Sequence, residues 1–473
     1  MLLKNTRRHG RLLVTLLVAL LGVTIVLVAS GRLTLPSSGR DLPPRLAPGS
    51  PRVDASGAPG AAVSGAPSGS GAPAGSALSG LSATEQQIQT FYAKVQADPE
   101  DLGSYLVLGY AYLQNVREKG HPADYGRAET AFNQVLQRDP QSVSALVGKG
   151  ALAAARHQFR DALDFANRSI TLNDNVPEAY GLLGDAQTEL GIYGEAVLTV
   201  QRMVDLRPDL SSYSRVSYQR ELHGDIDGAT EAMDAAYRAG GAPGTEGVEY
   251  VRVLLGNLHF AKGDVEEAEQ IYDAALEAYP GFVWALAGKA RVEASRGSWD
   301  EAIGLYQQAV DRIPLPEFVI ALGETQEAAG RQEDAEETYA LVRVIQQLFQ
   351  ENGVNTDLEL ALFEANHGGE AAPTVELARA AYADQPNIKA ADALAWALFK
   401  AGELDEARRY ADEALRLATR DGSYLFHAGM IANEQGDTAA AREYLTRAFD
   451  VNPLFSPLYG PVARQALDAL ASD

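Results

Sequence analysis

The sequence predicts an all-α protein, a right-handed superhelical solenoid of helical hairpins that follows a transmembrane or signal helix and a disordered linker. Three observations predict this arrangement. A pattern of Gly, Ala and Pro recurs over most of the chain at a spacing of 34 residues or a multiple of it. Residues 12–29 form an uncharged, mostly aliphatic run. Residues 36–82 consist mainly of Pro, Gly, Ser and Ala, with no run of large apolar side chains to bury.

The repeat is clearest in three segments that align without gaps, residues 179–196, 251–268 and 318–335. In each of them a Leu-Gly pair is followed seven residues later by Gly and five residues after that by Ala. Proline closes the units, and Pro280 and Pro314 lie 34 residues apart. A pattern of this length is typical of a repeated pair of helices.

Elementary packing explains why these residue types recur. The first Gly (Gly184, Gly256, Gly323) allows two helices to approach closely, and the second Gly ends the first helix in the left-handed conformation. Proline stops the second helix before the next unit. Because no hairpin buries its apolar face alone, the units are expected to stack. We expect each unit to contact only its neighbours, which predicts an elongated array.

The ends of the array and three irregular units are also predicted. Residues 83–97 and 458–470 are expected to form terminal capping helices, and residues 341–352 to continue one long helix. The first unit carries an insertion near residues 119–123, and the fourth lacks the Leu-Gly pair. The eighth unit, near residues 357–386, matches the pattern least.

These motifs resemble the tetratricopeptide repeat (TPR) family over residues 98–453, about ten units within a solenoid of residues 83–473. The resemblance implies a concave groove lined by the first helices, which binds proteins or peptides. Mapped onto this sequence, the resemblance implies a partner-binding groove containing Asp185, Glu189, Asn257, Arg291, Glu324, Glu327, Phe363, Trp396, Phe399, Phe426 and Met430. The middle of this groove is acidic and its C-terminal third is aromatic, so a ligand with basic residues and apolar anchors is expected.

The N-terminal sequence predicts that the protein is targeted to a membrane. Residues 1–11 form a basic flank, residues 12–30 a signal anchor or a cleavable signal peptide, and residues 31–82 a flexible linker. Eighteen apolar residues span about 27 Å, close to the thickness of a hydrocarbon core. We expect a single-pass membrane protein with a cytoplasmic N-terminus and an extracytoplasmic body, or a secreted or periplasmic body after cleavage at Gly31.

Composition excludes several kinds of chemistry. The chain has no Cys, which excludes disulfides and thiolate sites. Its net charge is −23, and because residues 1–82 carry +6, the remainder carries −29. Such a body repels nucleic acid. The sequence lacks a phosphate-binding loop, and no His pairs with another at helical spacing. We therefore expect no enzymatic activity, no cofactor and no metal site.

Two functions from different classes remain open on the sequence. The first is a membrane-tethered or exported scaffold that binds a protein or peptide in its concave groove. The second is an accessory structural subunit of a cell-envelope enzyme or transporter complex that docks by its outer face. The sequence leaves the oligomeric state undefined.

Overall fold

The computed structural model describes residues 81–241 and 243–472. The predicted flank 1–11, signal helix 12–30 and almost all of the linker 31–82 lie outside these residues. The described part of the chain contains 22 helices and no strand, which confirms the all-α fold class. None of these 22 helices is both long enough and apolar enough to cross a membrane.

Ten hairpins lie between a helix at each end, α1 (Ala83–Ala97) and α22 (Tyr459–Ser472). The first helices of the hairpins are α2 (Leu102–Lys119), α4 (Val143–Ala155), α6 (Pro177–Glu189), α8 (Leu210–Leu222), α10 (Glu246–Ala261), α12 (Val283–Ser295), α14 (Pro316–Ala328), α16 (Asp357–Asn366), α18 (Ile388–Lys400) and α20 (Gly422–Glu434). The second helices are α3 (Ala123–Arg138), α5 (Phe159–Leu172), α7 (Tyr193–Leu206), α9 (Ile226–Ala239), α11 (Val265–Ala278), α13 (Trp299–Arg312), α15 (Gln332–Glu351), α17 (Ala371–Asp384), α19 (Leu404–Ala414) and α21 (Thr438–Val451).

The repeat residues occupy the positions that the sequence predicts. The mid-hairpin glycines Gly191, Gly263 and Gly330 have φ of 72°, 83° and 76°, the left-handed region that favours glycine. At Gly256 and Gly323 the first glycine of the pattern makes room for an aromatic ring. A Cβ at Gly256 or at Gly288 would lie 2.6 Å from the ring of Tyr272, which therefore fits between the first helices of two consecutive hairpins.

The two ends and the long helix agree closely with the sequence pattern. Helix α1 has the predicted bounds and begins with a capping box, in which Ser82 and Glu85 satisfy each other's backbone N–H groups. Helix α15 is continuous over 20 residues and ends at Glu351, one residue before the predicted end. Helix α22 begins at Tyr459 and extends to Ser472, two residues beyond the predicted end.

The prediction that each hairpin contacts only its neighbours is wrong. The Nδ1 atom of His157 lies 2.8 Å from the carbonyl oxygen of Asn355, and the backbone N–H of Ile388 donates to the hydroxyl of Tyr193 at 2.9 Å. These partners are separated by 198 and 195 residues. Small rotations between consecutive hairpins accumulate along a solenoid. Here they bring the chain back onto itself with a pitch short enough for direct contact.

The contacts between superhelical turns follow a regular order. The α4–α5 turn meets the α15–α16 connection, the α6–α7 turn meets the α17–α18 connection, and the α8–α9 turn meets the α19–α20 connection. In every case the second partner precedes the hairpin six places further along. Side chains add to these contacts, since Tyr193, Leu222 and Ile388 form one buried apolar cluster across the two turns. The two superhelical turns are therefore in direct contact along this stretch.

Candidate functional site

Two neighbouring cavities lie on the inner side of the superhelix. The first, which we call the interturn cavity, has a volume of 350 Å³ and is lined mainly by α6, α8, α10, α16 and α18. The second, the C-terminal cavity, has a volume of 880 Å³ and lies between α12, α14, α18, α20 and residues 453–464. Helix α18 lines both, through Lys389 in the first cavity and Asp392 in the second.

Hydrogen bonds between the two turns form a rim of the interturn cavity. The side-chain amide of Asn387 donates to the backbone carbonyl of Glu189 at 2.9 Å and to the carboxylate of the same residue at 3.3 Å. On the other side, His157 contacts the carbonyl of Asn355. His157 has φ of 57° at a place where the next hairpin has Gly191, so its ring contact is made from a strained backbone. These residues fix the spacing of the two turns.

Carboxylates outnumber basic side chains in the wall of the interturn cavity. Arg215 neutralises one of them, because its Nε and Nη2 atoms donate to the two oxygens of Asp185 at 2.8 and 2.6 Å. Glu189, Glu221 and Glu359 also line the cavity. The other lysine or arginine in the lining is Lys389, whose ammonium lies 5.5 Å from the centre of the Tyr218 ring. The wall therefore carries an excess of negative charge.

Burial and the charges in the cavity wall shift the pKa values of two ionisable groups. Burial raises the pKa of Glu221 to about 7, against a smaller lowering by Lys389 and a further rise caused by Asp421. Tyr218 and then Glu189 raise the pKa of Lys389 above its ordinary value, so the ammonium group stays charged. Glu221 accordingly begins to take up a proton near neutral pH, which reduces the negative charge of the wall.

The C-terminal cavity lies beside a buried aromatic stack. The indole N–H of Trp396 donates to Oδ1 of Asn366 at 2.8 Å, and its ring stacks on Phe399 at 4.8 Å and on His427 at 4.2 Å. His427 in turn contacts the carboxylate of Asp392 at 2.9 Å, and both side chains are buried. Trp396 is only 2% exposed. This tryptophan thus belongs to the core and presents little surface to a ligand.

The segment after the last hairpin covers the aromatic end of the groove. Tyr459 stacks on Phe426 at 5.5 Å between ring centres, and its hydroxyl donates to the backbone carbonyl of Asn366 at 3.3 Å. Phe455 lies 5.9 Å from Phe426 on the same side. Phe426 is consequently buried, although the C-terminal cavity still reaches it.

The structure distributes the predicted groove residues over both cavities and the core. Asp185, Glu189 and Asn257 line the interturn cavity, and Arg291, Glu324 and Phe426 line the C-terminal cavity. The remaining five, which line neither cavity, are Glu327, Phe363, Trp396, Phe399 and Met430. Their role in partner binding stays a prediction.

Several of these residues also have partners within the chain. Asn257 accepts hydrogen bonds from Tyr272 and Arg291. Glu324 lies 3.4 Å from Nε2 of His367, and Glu327 accepts a hydrogen bond of 3.0 Å from Tyr339. Phe363 is buried against Tyr339, whereas Phe399 and Met430 are half-buried. A ligand would therefore compete with existing contacts at most of the predicted positions.

Sequence reasoning missed several residues of the interturn cavity, among them Lys389, Glu359 and His157. Lys389 is the second residue of α18. The TPR resemblance implies that the second residue of each first helix lines the groove, so this rule would have found Lys389. Glu359 belongs to the weakest repeat, and His157 lies in a turn whose role depends on a contact 198 residues away. Over residues 81–241 and 243–472, no group of three or more His, Cys, Asp or Glu side chains is arranged to hold a metal ion.

The fold and the two cavities define a helical-repeat protein with cavities on its inner side. The sequence model of the tetratricopeptide repeat family matches residues 123–177, 223–282, 253–315, 287–346 and 393–452, which together make up just over half of the chain. The chain therefore belongs to the tetratricopeptide repeat family.

Known proteins resemble parts of this chain. Anaphase-promoting complex subunit 7 of Arabidopsis thaliana is 23% identical over 233 residues, 48% of this chain and 39% of that protein. Human Superkiller complex protein 3 is 22% identical over 240 residues, 48% of this chain and 15% of that protein. This chain thus spans well under half of either relative.

Solved structures of the same general kind cover more of the chain. The human IFIT1 dimer with PPP-AAAA is 14% identical, with a TM-score of 0.44 over 77% of this chain and 86% of that one. A tetratricopeptide repeat protein from Parabacteroides merdae is 17% identical, with a TM-score of 0.34 over 55% of this chain and 98% of that one.

Proposed function

We propose that this protein is an interaction scaffold whose inner surface binds an extended segment of another protein, without chemistry of its own. The observation that carries the proposal is the excess of carboxylates in the interturn cavity beside an aromatic C-terminal cavity. A segment with basic residues followed by apolar residues complements both, and charge would speed its encounter with the scaffold at low salt.

The position of the inner carboxylates supports this function. Glu317, the second residue of α14, is exposed, yet its charge interacts with Glu359 of α16 and with Tyr250 of α10. The protein that surrounds the carboxyl group desolvates it and raises its pKa to about 7. A carboxylate that is surrounded by protein walls but reached by solvent is available to a basic ligand. Glu317 and Glu324 lie on the same helix and provide a pair of charges that can be removed together.

The test compares two variants of the full chain, one that lacks two carboxylates of the inner surface and one that lacks two carboxylates of the outer surface. Proteins that co-purify from detergent extracts are identified, and their capture is repeated with the double variant Glu317→Gln, Glu324→Gln. The matched control is Glu266→Gln, Glu267→Gln, which removes two exposed charges from the second helix α11. We expect the inner variant to lose capture, most strongly at low salt, and the outer variant to retain it. The opposite result would contradict binding at the inner surface.

A second candidate is a structural subunit that docks by its outer face. It is favoured by two exposed apolar side chains on second helices, Leu198 of α7 at 72% and Val344 of α15 at 57%. The names of both sequence relatives also refer to multiprotein complexes. Under this candidate, Leu198→Asp and Val344→Asp would abolish capture while the inner double variant would leave it unchanged.

We also propose that residues 12–30 tether the scaffold to a membrane with the repeats on the extracytoplasmic side. The support is the long uncharged run behind a basic flank. The full-length protein should then remain in the membrane fraction after a carbonate wash. Recovery of a soluble product that starts near Gly31 would replace the anchor by a cleaved signal peptide.

A further inference from the structure

The interturn cavity has a defined size and a defined chemistry of its walls. Its volume of 350 Å³ is at the lower end of the range for ligand sites, and is sufficient for one long side chain with a few water molecules. Residues of the first superhelical turn form one wall, and Leu358, Glu359, Gln385 and Lys389 of the second turn form the other. The site therefore depends on the closure of the superhelix.

The charges of this cavity are incomplete without a further cation. Once Arg215 has neutralised Asp185, three carboxylates remain, those of Glu189, Glu221 and Glu359, and they face the single ammonium group of Lys389. The Oε2 atom of Glu359 is buried and accepts no hydrogen bond from the described residues. A buried carboxylate oxygen without a donor is costly, and a ligand cation would supply the missing donor.

The cavity also has an apolar wall, which restricts the kind of cation. Phe159, Met233, Leu254, Leu258 and Leu358 line it together with the carboxylates. A hydrated metal ion gains nothing from such side chains. A side chain with an aliphatic stem and a charged end fits both kinds of wall at once.

We propose that the interturn cavity binds one arginine side chain of an extended partner segment. This inference rests on the proposed function and names the residue that the inner surface recognises. Arginine is favoured over lysine because a guanidinium is more weakly hydrated than an ammonium, and it presents several N–H donors to separate carboxylates. Glu221 and Glu359 supply the acceptors, while the leucines and Met233 contact the aliphatic stem.

Proton uptake by the cavity supports the same assignment. Glu221, whose pKa is about 7, would exchange its proton for the guanidinium. The charged groups around it are Lys389, which opposes the ligand, and Glu189, Glu359 and Asp421, which favour it. Protonation of Glu221 therefore weakens binding in acid, and Glu221→Gln removes this dependence.

The experiment titrates the full chain in detergent with the peptide acetyl-Gly-Leu-Arg-Leu-Gly-amide by calorimetry. The control peptide carries citrulline, the neutral isostere of arginine, and should bind at least about tenfold more weakly. Glu221→Gln should weaken binding of the arginine peptide about tenfold, whereas Glu266→Gln on the outer face should leave it unchanged. Lys389→Met keeps the aliphatic stem, removes the competing ammonium and should tighten binding. A merely damaged cavity would not produce that increase.

The pH dependence adds an independent measurement. Below pH 7 the affinity of the parent should decrease, approaching tenfold per pH unit, because the proton on Glu221 must leave. The profile of Glu221→Gln should be flatter. Equal binding of the citrulline peptide, or an unchanged affinity in Glu221→Gln, would overturn the arginine site.

Failure of this site is distinguishable from failure of the proposed function. If a co-purified basic segment loses capture with the Glu317→Gln, Glu324→Gln variant but not with Glu221→Gln, the inner surface binds and the arginine pocket is wrong. The competing occupant is a segment of the chain itself, residues 32–52, which carries four arginines. If the peptide binds only after Arg32, Arg40, Arg45 and Arg52 are replaced by Gln, that segment occupies the cavity, and the assignment to a partner is overturned.

Discussion

Asn387 donates a hydrogen bond of 2.9 Å to the backbone carbonyl of Glu189 across 198 residues of sequence. The same side chain caps α18, because its Oδ1 atom accepts the N–H of Ala390 at 2.9 Å. One asparagine thus ends a loop of the second superhelical turn and attaches it to the first turn. Its partner Glu189 lines the interturn cavity, so closure of the solenoid and construction of the candidate site depend on the same contact.

Replacement of this asparagine by aspartate separates its two roles. Asn387→Asp keeps an acceptor for the cap but loses the amide donor and places a carboxylate 3.3 Å from Glu189. The free energy of unfolding should decrease by about 1–3 kcal/mol, the cost of a lost hydrogen bond and a like-charge contact. Denaturant titration measures this change. Asn167→Asp on the exposed side of α5 is the control, and an equal loss there would contradict a specific role for Asn387.

Two glycine substitutions should have opposite effects on stability. A Cβ at Gly288 would lie 2.6 Å from the ring of the fully buried Tyr272, so Gly288→Ala should destabilise the protein by about 1–3 kcal/mol. Gly304 lies within α13 with no atom near its added Cβ, so Gly304→Ala should stabilise by about 0.5–1 kcal/mol. Thermal unfolding of both variants checks the signs. A tolerated Gly288→Ala would show that the hairpins pack less closely than described.

Trp396 should matter more for stability than its predicted groove position implies. Because the side chain is buried and hydrogen-bonded to Asn366, Trp396→Ala should cost about 3–5 kcal/mol. Phe399 is half-buried beside Trp396, so Phe399→Ala should lower the free energy of unfolding by a smaller amount. Circular dichroism during denaturant unfolding gives both values. If Trp396→Ala unfolds like the parent but loses partner capture, the tryptophan acts as a ligand anchor rather than as core.

The raised pKa of Glu221 predicts a particular pH dependence of stability. Its pKa is about 7 in the folded protein and near 4.5 when unperturbed, so the folded state binds the extra proton between these values. The stability contributed by this group is present below about pH 4.5 and is lost as the pH rises to about 7. Glu221→Gln removes this loss. Its melting temperature should exceed that of the parent above pH 7, with the difference shrinking toward pH 5; a constant difference would contradict the raised pKa.

The sequence predicts the hairpins well because their determinants are local. Gly191 and Gly263 require a backbone conformation that only glycine adopts at low cost, and their spacing from the buried Ala196 and Ala268 sets the hairpin register. Where these markers recur along the chain, they predict the hairpins and their order. Small residues at helix crossings are similarly visible without knowledge of the tertiary arrangement.

Closure of the solenoid is not visible in the sequence, because pitch is the sum of many small rotations between hairpins. No sequence pattern around Asn387, Tyr193 or His157 indicates a contact about 200 residues away. Counting groove positions placed Trp396 and Phe426 on the correct helices. It did not reveal that neighbouring helices and residues 453–464 cover them.

The contact between superhelical turns underlies the interturn cavity and the arginine site proposed in it, and a distance measurement tests this contact directly. The chain contains no Cys, so Asp161→Cys and Ala383→Cys, both at exposed positions, carry the only two spin labels. Arg160, next to the first label, donates to the carbonyl of Ala383 at 3.0 Å. Electron–electron double resonance should therefore give a narrow distribution at the short end of the accessible range. A broad distribution at long distances would mean that the turns are apart in solution, and would contradict the closed superhelix.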